Sequence, residues 1–280
     1  VSTIAPEGEP ELVARLRARP PGDAVVLWWL GQSGFAIRFR DEMAVIDPYL
    51  SNSLTKKYSG TRTPHVRMKP NVLEPEMLAR VPVTALLATH QHTDHLDADT
   101  LRPILAGLRE RDGVAPLVAP EAWRAMAAER SGLPAAAIVG MGDGTMAGVG
   151  SFEVIGVASA HDRIEVDENG NCKYLGYVIR AGRWTLYHSG DTVAYEGLAD
   201  RLRPFAIDLA VLPINGKVGN MSGADAARLA KDAGVRVVVP CHYDMFSFNT
   251  ADPADAFVPE CVRLEQRYQL VGLGESFTLA

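Results

Sequence analysis

Cysteine is scarce in this sequence, and its three residues, Cys172, Cys241 and Cys261, are too widely spaced and odd in number for a disulfide framework. That usage fits a reducing compartment. Long apolar runs are also missing: residues 24–30 are among the longest, whereas a bilayer-spanning helix needs about 20 residues. Basic charge is in deficit, with 28 Lys and Arg against 34 Asp and Glu and a net charge of −6. A nucleic-acid binder would need clustered cations instead. Residues 1–22 are polar, Pro-rich and partly acidic, without the basic-then-apolar layout of a secretory signal. The expectation is a cytoplasmic protein with no membrane or nucleic-acid partner. No low-complexity linker divides the chain, and 280 residues with 47% apolar content can bury a sizeable core. Residues 1–280 are therefore read as one domain.

The sequence does contain strand after strand. Residues 24–30 are β-branched and aromatic, Gly31-Gln32-Ser33-Gly34 reads as a turn, and 35–39 and 43–46 continue the hairpin pattern. Further strands are expected at 83–88, 116–119, 151–158, 174–180, 184–188, 209–214 and 235–240. Helices are expected at 11–19, at 96–109 with Pro103 in its early turns, at 121–130 and at 224–233. Ser222 can cap the last of these, and Asp225 completes a capping-box pattern. Residues 51–70 show no period and read as a long, functional loop. This interleaving predicts an α+β protein with sheets packed face to face and helices outside.

The chemistry concentrates in Thr89-His90-Gln91-His92-Thr93-Asp94-His95, which follows a buried strand and precedes a helix. Residues two apart on an extended exit point the same way. His90 and His92 can thus aim at one point, and Asp94 and His95 at a second. Imidazoles with a carboxylate suit zinc, manganese or iron. His161, Asp191 and His242 each lie near the end of an expected strand and can complete a metal site.

His90-x-His92-x-Asp94-His95, followed in order by His161, Asp191 and His242, resembles the metallo-β-lactamase superfamily over nearly the whole chain. A closer likeness is to the L-ascorbate-6-phosphate lactonase-like branch. It is carried by Trp28-Trp29-Leu30-Gly31, Ala88-Thr89-His90, Asp162-Arg163, Leu186-Tyr187-His188-Ser189-Gly190-Asp191 and Ala251-Asp252-Pro253. The resemblance implies a four-layer αββα sandwich with two divalent ions, Mn²⁺ or Zn²⁺, at one edge of the sheets. It implies His90, His92 and His161 on one metal, Asp94, His95 and His242 on the other, and Asp191 bridging them. Asp47 would support the site from behind. The branch also implies a cytoplasmic, often oligomeric hydrolase that opens lactones.

Water held between two divalent ions is a hydroxide near neutral pH and can attack a carbonyl carbon or a phosphorus. Asp94 could accept its proton, and Tyr243, next to a ligand candidate, could donate to an oxyanion. No nucleophilic role falls to Ser189 or Cys241. Candidate substrate contacts are Arg163, His188, Asn215, Lys217 and Asn220, with Arg62, His65, Arg67 and Lys69 in the long loop. The leading expectation is hydrolysis of a small, anionic lactone or cyclic ester, such as a sugar-acid phosphate lactone. A phosphodiesterase for a small phosphodiester is the alternative. A non-catalytic metal-binding protein fits less well, because loss of function should delete ligands and all seven are present.

Overall fold

The first two strands are buried at every position rather than at alternate ones, the mark of a sheet covered on both faces. The computed structural model describes residues 10–280, so the first nine residues of the polar N-terminal segment lie outside it. Its strands are β1 (Val25–Gly31), β2 (Gly34–Phe39), β3 (Glu42–Ile46), β4 (Val83–Leu87), β5 (Leu117–Pro120), β6 (Ile138–Met141), β7 (Met146–Val149), β8 (Phe152–Ala158), β9 (Ala160–His161), β10 (Arg163–Ile164), β11 (Leu175–Ala181), β12 (Trp184–His188), β13 (Leu209–Pro213), β14 (Val237–Cys241) and β15 (Ser276–Leu279). The α-helices are α1 (Glu11–Arg17), α2 (Ser53–Lys57), α3 (Ala98–Arg109), α4 (Arg124–Ser131), α5 (Leu198–Leu202), α6 (Gly223–Asp232) and α7 (Phe257–Arg263).

Two large sheets result, a seven-stranded one in the order β15-β1-β2-β3-β4-β5-β6 and a six-stranded one in the order β14-β13-β12-β11-β8-β7, beside the two-stranded β10-β9. In β1, Val25, Leu27 and Trp29 join the core shared with the second sheet. Val26, Trp28 and Leu30 point the other way, into a core with Val13 and Leu16 of α1 and Leu101 and Ile104 of α3. On the far side, α6 packs on β13 and β14. Helices thus flank two facing sheets, the four-layer arrangement expected. Among the described residues no helix is long and apolar enough to cross a membrane, and the three cysteines are buried and unpaired.

The main strands fall within a residue or two of expectation. The differences are short elements. The expected loop at 51–70 holds the five-residue helix α2, and the expected helix at 121–130 starts as a 3-10 turn over Glu121–Trp123. β6, β7, α5, α7 and β15 were not expected; at four to seven residues they offer little period to read. Ser222 does cap α6, its hydroxyl accepting from the Asp225 amide at 3.2 Å. The Asp225 carboxylate takes the Ser222 hydroxyl at 2.6 Å.

Topology decides where the loops gather. β3, β4, β5 and β6 run parallel, as do β12, β13 and β14. The carboxyl ends of β3 and β4 therefore meet those of β12 and β14 on one rim, where chain reversals leave room for polar side chains.

Candidate metal centre

The centre starts from a carboxylate at the end of β3. Asp47 is fully buried and takes the left-handed backbone conformation, φ 47°. Its oxygens accept from the Thr89 amide at 2.8 Å and the Thr89 hydroxyl at 2.7 Å, and one lies 2.7 Å from His95 Nδ1. A buried carboxylate is costly unless donors surround it; here they come from the loop leaving β4. That loop turns at once, with the His95 and Leu96 amides both donating to the His92 carbonyl. The turn sets His90, His92, Asp94 and His95 around one point.

The second sheet supplies the other side. His161 forms β9 with Ala160, and its ring stacks on Tyr174 at 5.0 Å. Asp191 follows β12 through Gly190, whose positive φ brings its backbone against Thr89. His242 follows β14 in the left-handed conformation, φ 62°, with its amide donating to the Gln32 carbonyl at 3.0 Å. Asp191 lies 3.3 Å from His95 Nε2, 3.5 Å from His242 Nε2 and 4.0 Å from His90 Nε2.

Three overlapping groups have ligand atoms within 4.8 Å of one another: His90, His95 and Asp191; His92, His161 and Asp191; and Asp94, His95 and His242. All seven expected residues are thus together, with Asp191 shared between two groups. The third group is the trio expected for one metal. His90 approaches both sides, with its ring 4.0 Å from that of His95 and its Nε2 2.9 Å from His92 Nδ1.

The electrostatics suit a cation. Burial acts to raise the Asp191 carboxyl, but His242 and His95 outweigh it and hold the group well below its ordinary range. Burial would likewise favour a neutral His95, yet Asp191, Asp47 and Asp94 raise it well above the ordinary imidazole value. Burial, reinforced by the neighbouring His95, keeps the His90 ring neutral. His161 Nε2 is buried without a hydrogen-bond partner, and His95 Nε2 and Asp191 Oδ1 have none but each other, 3.3 Å apart. Orphaned imidazole and carboxylate atoms converging in this way fit divalent metal ions of the zinc or manganese kind.

A cavity of about 350 Å³ opens over this floor. His92, Asp94, His161, Asp191, His242 and Asn220 line its polar side. Asn220 Oδ1 accepts from the Thr192 amide at 3.0 Å, while its Nδ2 is buried without a partner. The other expected substrate contacts are placed elsewhere. Tyr243 is buried against Trp29, with ring centroids 4.7 Å apart, and does not line the cavity. Burial raises its phenol well above the ordinary value. His188 is buried with both ring nitrogens occupied, Nε2 by the Ser33 carbonyl at 2.8 Å and Nδ1 by the Gly190 amide at 3.1 Å. Arg163 is exposed outside the lining. Asn215 donates to Asn249 Oδ1 at 2.7 Å, and Lys217 Nζ to the Phe248 carbonyl at 3.2 Å. Both tie loops together rather than facing the cavity.

In the 51–70 segment, His65 lines the cavity. Arg67 is spent on the Tyr49 carbonyl at 2.7 Å and the Ser51 carbonyl at 2.9 Å. Lys69 pairs with Asp244 at 3.6 Å. Arg62 is exposed and outside the lining, so the expected cationic pocket does not form from these residues.

Sequence reasoning passed over Gln32. It is fully buried at φ 53°, and its Nε2 donates to Asp94 Oδ2 at 2.9 Å and lies 3.1 Å from His242 Nε2. A polar pair, Gln32-Ser33, inside a tight turn between two largely apolar strands was the available signal. Thr89 was read only as part of the motif, although it holds Asp47.

A family model described as a beta-lactamase superfamily domain matches residues 44–243. A metal-dependent hydrolase of Pyrobaculum neutrophilum is 29% identical, the match covering 81% of this chain and 88% of that protein. A Salmonella heidelberg protein named "Probable L-ascorbate-6-phosphate lactonase UlaG" is 24% identical over 82% of this chain and 72% of its own length. Among solved structures, a metallo hydrolase from Ignicoccus hospitalis superposes with a TM-score of 0.68 at 21% identity, covering 92% of this chain and 99% of that one.

Proposed function

The chain belongs to the metallo-β-lactamase superfamily and is a metal-dependent hydrolase, and we propose that its reaction is the opening of a small lactone or related cyclic ester. The observation that carries this reading is the seven-residue donor cluster, five of whose members line a cavity large enough for a small molecule. The lactonase name of one relative supports the choice of a cyclic ester.

His92, His161 and Asp191 would hold one ion, Asp94, His95 and His242 a second, with His90 completing the set beside Asp191. Two ions, Mn²⁺ or Zn²⁺, would supply a strong oxygen nucleophile near neutral pH and withdraw charge from the acyl oxygen. Asp94 lines the cavity and is held below its ordinary pKa, because His95 and His242 outweigh the effect of burial. It can accept a proton from attacking water, while Gln32 fixes its second oxygen. The free Asn220 Nδ2–H can donate to a substrate oxygen, the place sequence reasoning gave to Tyr243. Asp47 fixes the His95 ring so that Nε2 faces the floor.

The test is a lactone panel assayed beside bis(p-nitrophenyl) phosphate with Mn²⁺ or Zn²⁺ added. Lactone turnover is expected. Turnover confined to the phosphodiester would overturn the reading in favour of a phosphodiesterase.

A further inference from the structure

The wall facing the metal cluster is aromatic, and nothing in the proposed chemistry uses it. Tyr58 and His65, from the 51–70 segment, stack at 4.2 Å. His65 stands edge-on to Phe246 at 5.0 Å and to Phe248 at 4.7 Å. All four line the cavity, and Leu54 and Met245 pack in the same cluster.

This wall is braced. Arg67 clamps the Tyr49 and Ser51 carbonyls and stacks over the Tyr49 ring at 4.5 Å. The Met68 amide donates to the Met245 carbonyl at 2.8 Å, joining the two segments that carry the rings. From the other side, Asn215 and Lys217 hold Asn249 and the Phe248 carbonyl. A braced surface of flat rings favours a flat, apolar ligand, because little order is left to impose on binding.

Cations near the cavity are few. Arg130 lines it, but its guanidinium is engaged by the Gln91 and Leu96 carbonyls. Lys57 lines it and is exposed, with its ammonium 5.2 Å from the Tyr58 ring. Among the described residues, that leaves one exposed lysine at the aromatic end and no cluster fit for a phosphate group.

We propose that the substrate is a lactone or cyclic ester bearing a flat apolar substituent, seated on Tyr58, Phe246 and Phe248 while its carbonyl faces the metal cluster. This rests on the lactonase reading for the reacting bond and adds the class of side group. Hydrolysis adds water across the acyl C–O bond and releases a hydroxy acid whose apolar group remains on the wall.

The test compares a phenyl-substituted γ-butyrolactone with its unsubstituted parent on the metal-loaded enzyme. The phenyl lactone should have kcat/KM higher by about tenfold, as expected for one well-seated aromatic contact. Phe248→Ala should erase most of that ratio by raising KM for the phenyl lactone. Tyr58→Ala, at a partly exposed position, serves if the first variant does not fold. Equal kcat/KM for the two lactones, or a preference for a phosphorylated sugar lactone, would overturn the proposal. Calorimetric titration with 4-phenylbutyrate and butyrate separates this from the reaction itself. Tighter binding of phenylbutyrate that depends on Phe248 supports the wall even if no lactone is turned over, an outcome that would sink the lactonase reading alone. Equal binding of the two acids overturns the wall.

Discussion

Asp47 shows how much of this centre lies behind its metal-facing atoms. Its carboxylate receives both donors of Thr89 and faces His95 Nδ1, so its charge serves to hold one imidazole. In Asp47→Asn one oxygen becomes an NH₂ that faces a donor. Metal affinity should fall about 10–100-fold, the usual effect of losing such a partner; chelator competition measures it, and unchanged affinity would refute the assignment. His92→Ala should remove most bound divalent metal by elemental analysis while near-UV circular dichroism stays native, since His92 is only partly buried. Full metal content in that variant would contradict its place among the ligands. His90, His92, Asp94 and His95 were legible because they are contiguous and follow an apolar strand. Gln32 was not, because it meets Asp94 and His242 only once the β1–β2 turn lies against the end of β14.

At the level of elements, one glycine lets two loops approach closely. Gly190 has φ +59°, and a Cβ there would lie 2.7 Å from the Thr89 Cβ. Gly190→Ala should destabilise the fold by about 1–3 kcal/mol, the typical cost of one strained residue, as read by urea denaturation; an unchanged midpoint would mean that the loops can part freely. A second element-level device joins α6 to α7. Arg263 and then Arg228 hydrogen-bond to Glu260 and hold its carboxyl down to about 2. A lowered carboxylate pKa stabilises the fold above the unfolded value of 4.5, and the gain is lost as pH falls toward about 2. Glu260→Gln should therefore lower Tm at pH 7, and its gap from wild type should narrow below about pH 4.5. A gap that does not change with pH would show that packing, not charge, is responsible. Long strands such as β8, β11 and β12 were readable from their apolar runs. α2, which helps carry the aromatic wall, was not, because five residues cannot show a helical face and tertiary packing alone makes them helical.

On the scale of the whole molecule, the ligand candidates come from both sheets, His90 to His95 after β4 and Asp191 and His242 after β12 and β14. A bound metal therefore ties the two sheets at one rim, and ligand binding to the folded form alone raises its stability. Stripping metal with a chelator should lower Tm, and restoring Mn²⁺ or Zn²⁺ should recover it; no shift in either direction would mean that no metal bridges the sheets. The two-sheet arrangement was legible from strand order and from the family likeness. The placing of Tyr243, His188, Asn215 and Lys217 was not, because the direction in which a loop side chain points depends on neighbours remote in the chain, from 31 residues away for Lys217 to 155 for His188. The pairing of β1 with β15 carries this dependence furthest. Val25 sits opposite Leu279 and Trp28 opposite Ser276, so during translation one flank of an apolar strand waits for a partner made some 250 residues later. Until then that flank is an open template for other chains. The nascent protein thus has a vulnerable interval set by the ribosome's pace, during which chaperone supply should govern how much of the product stays out of aggregates.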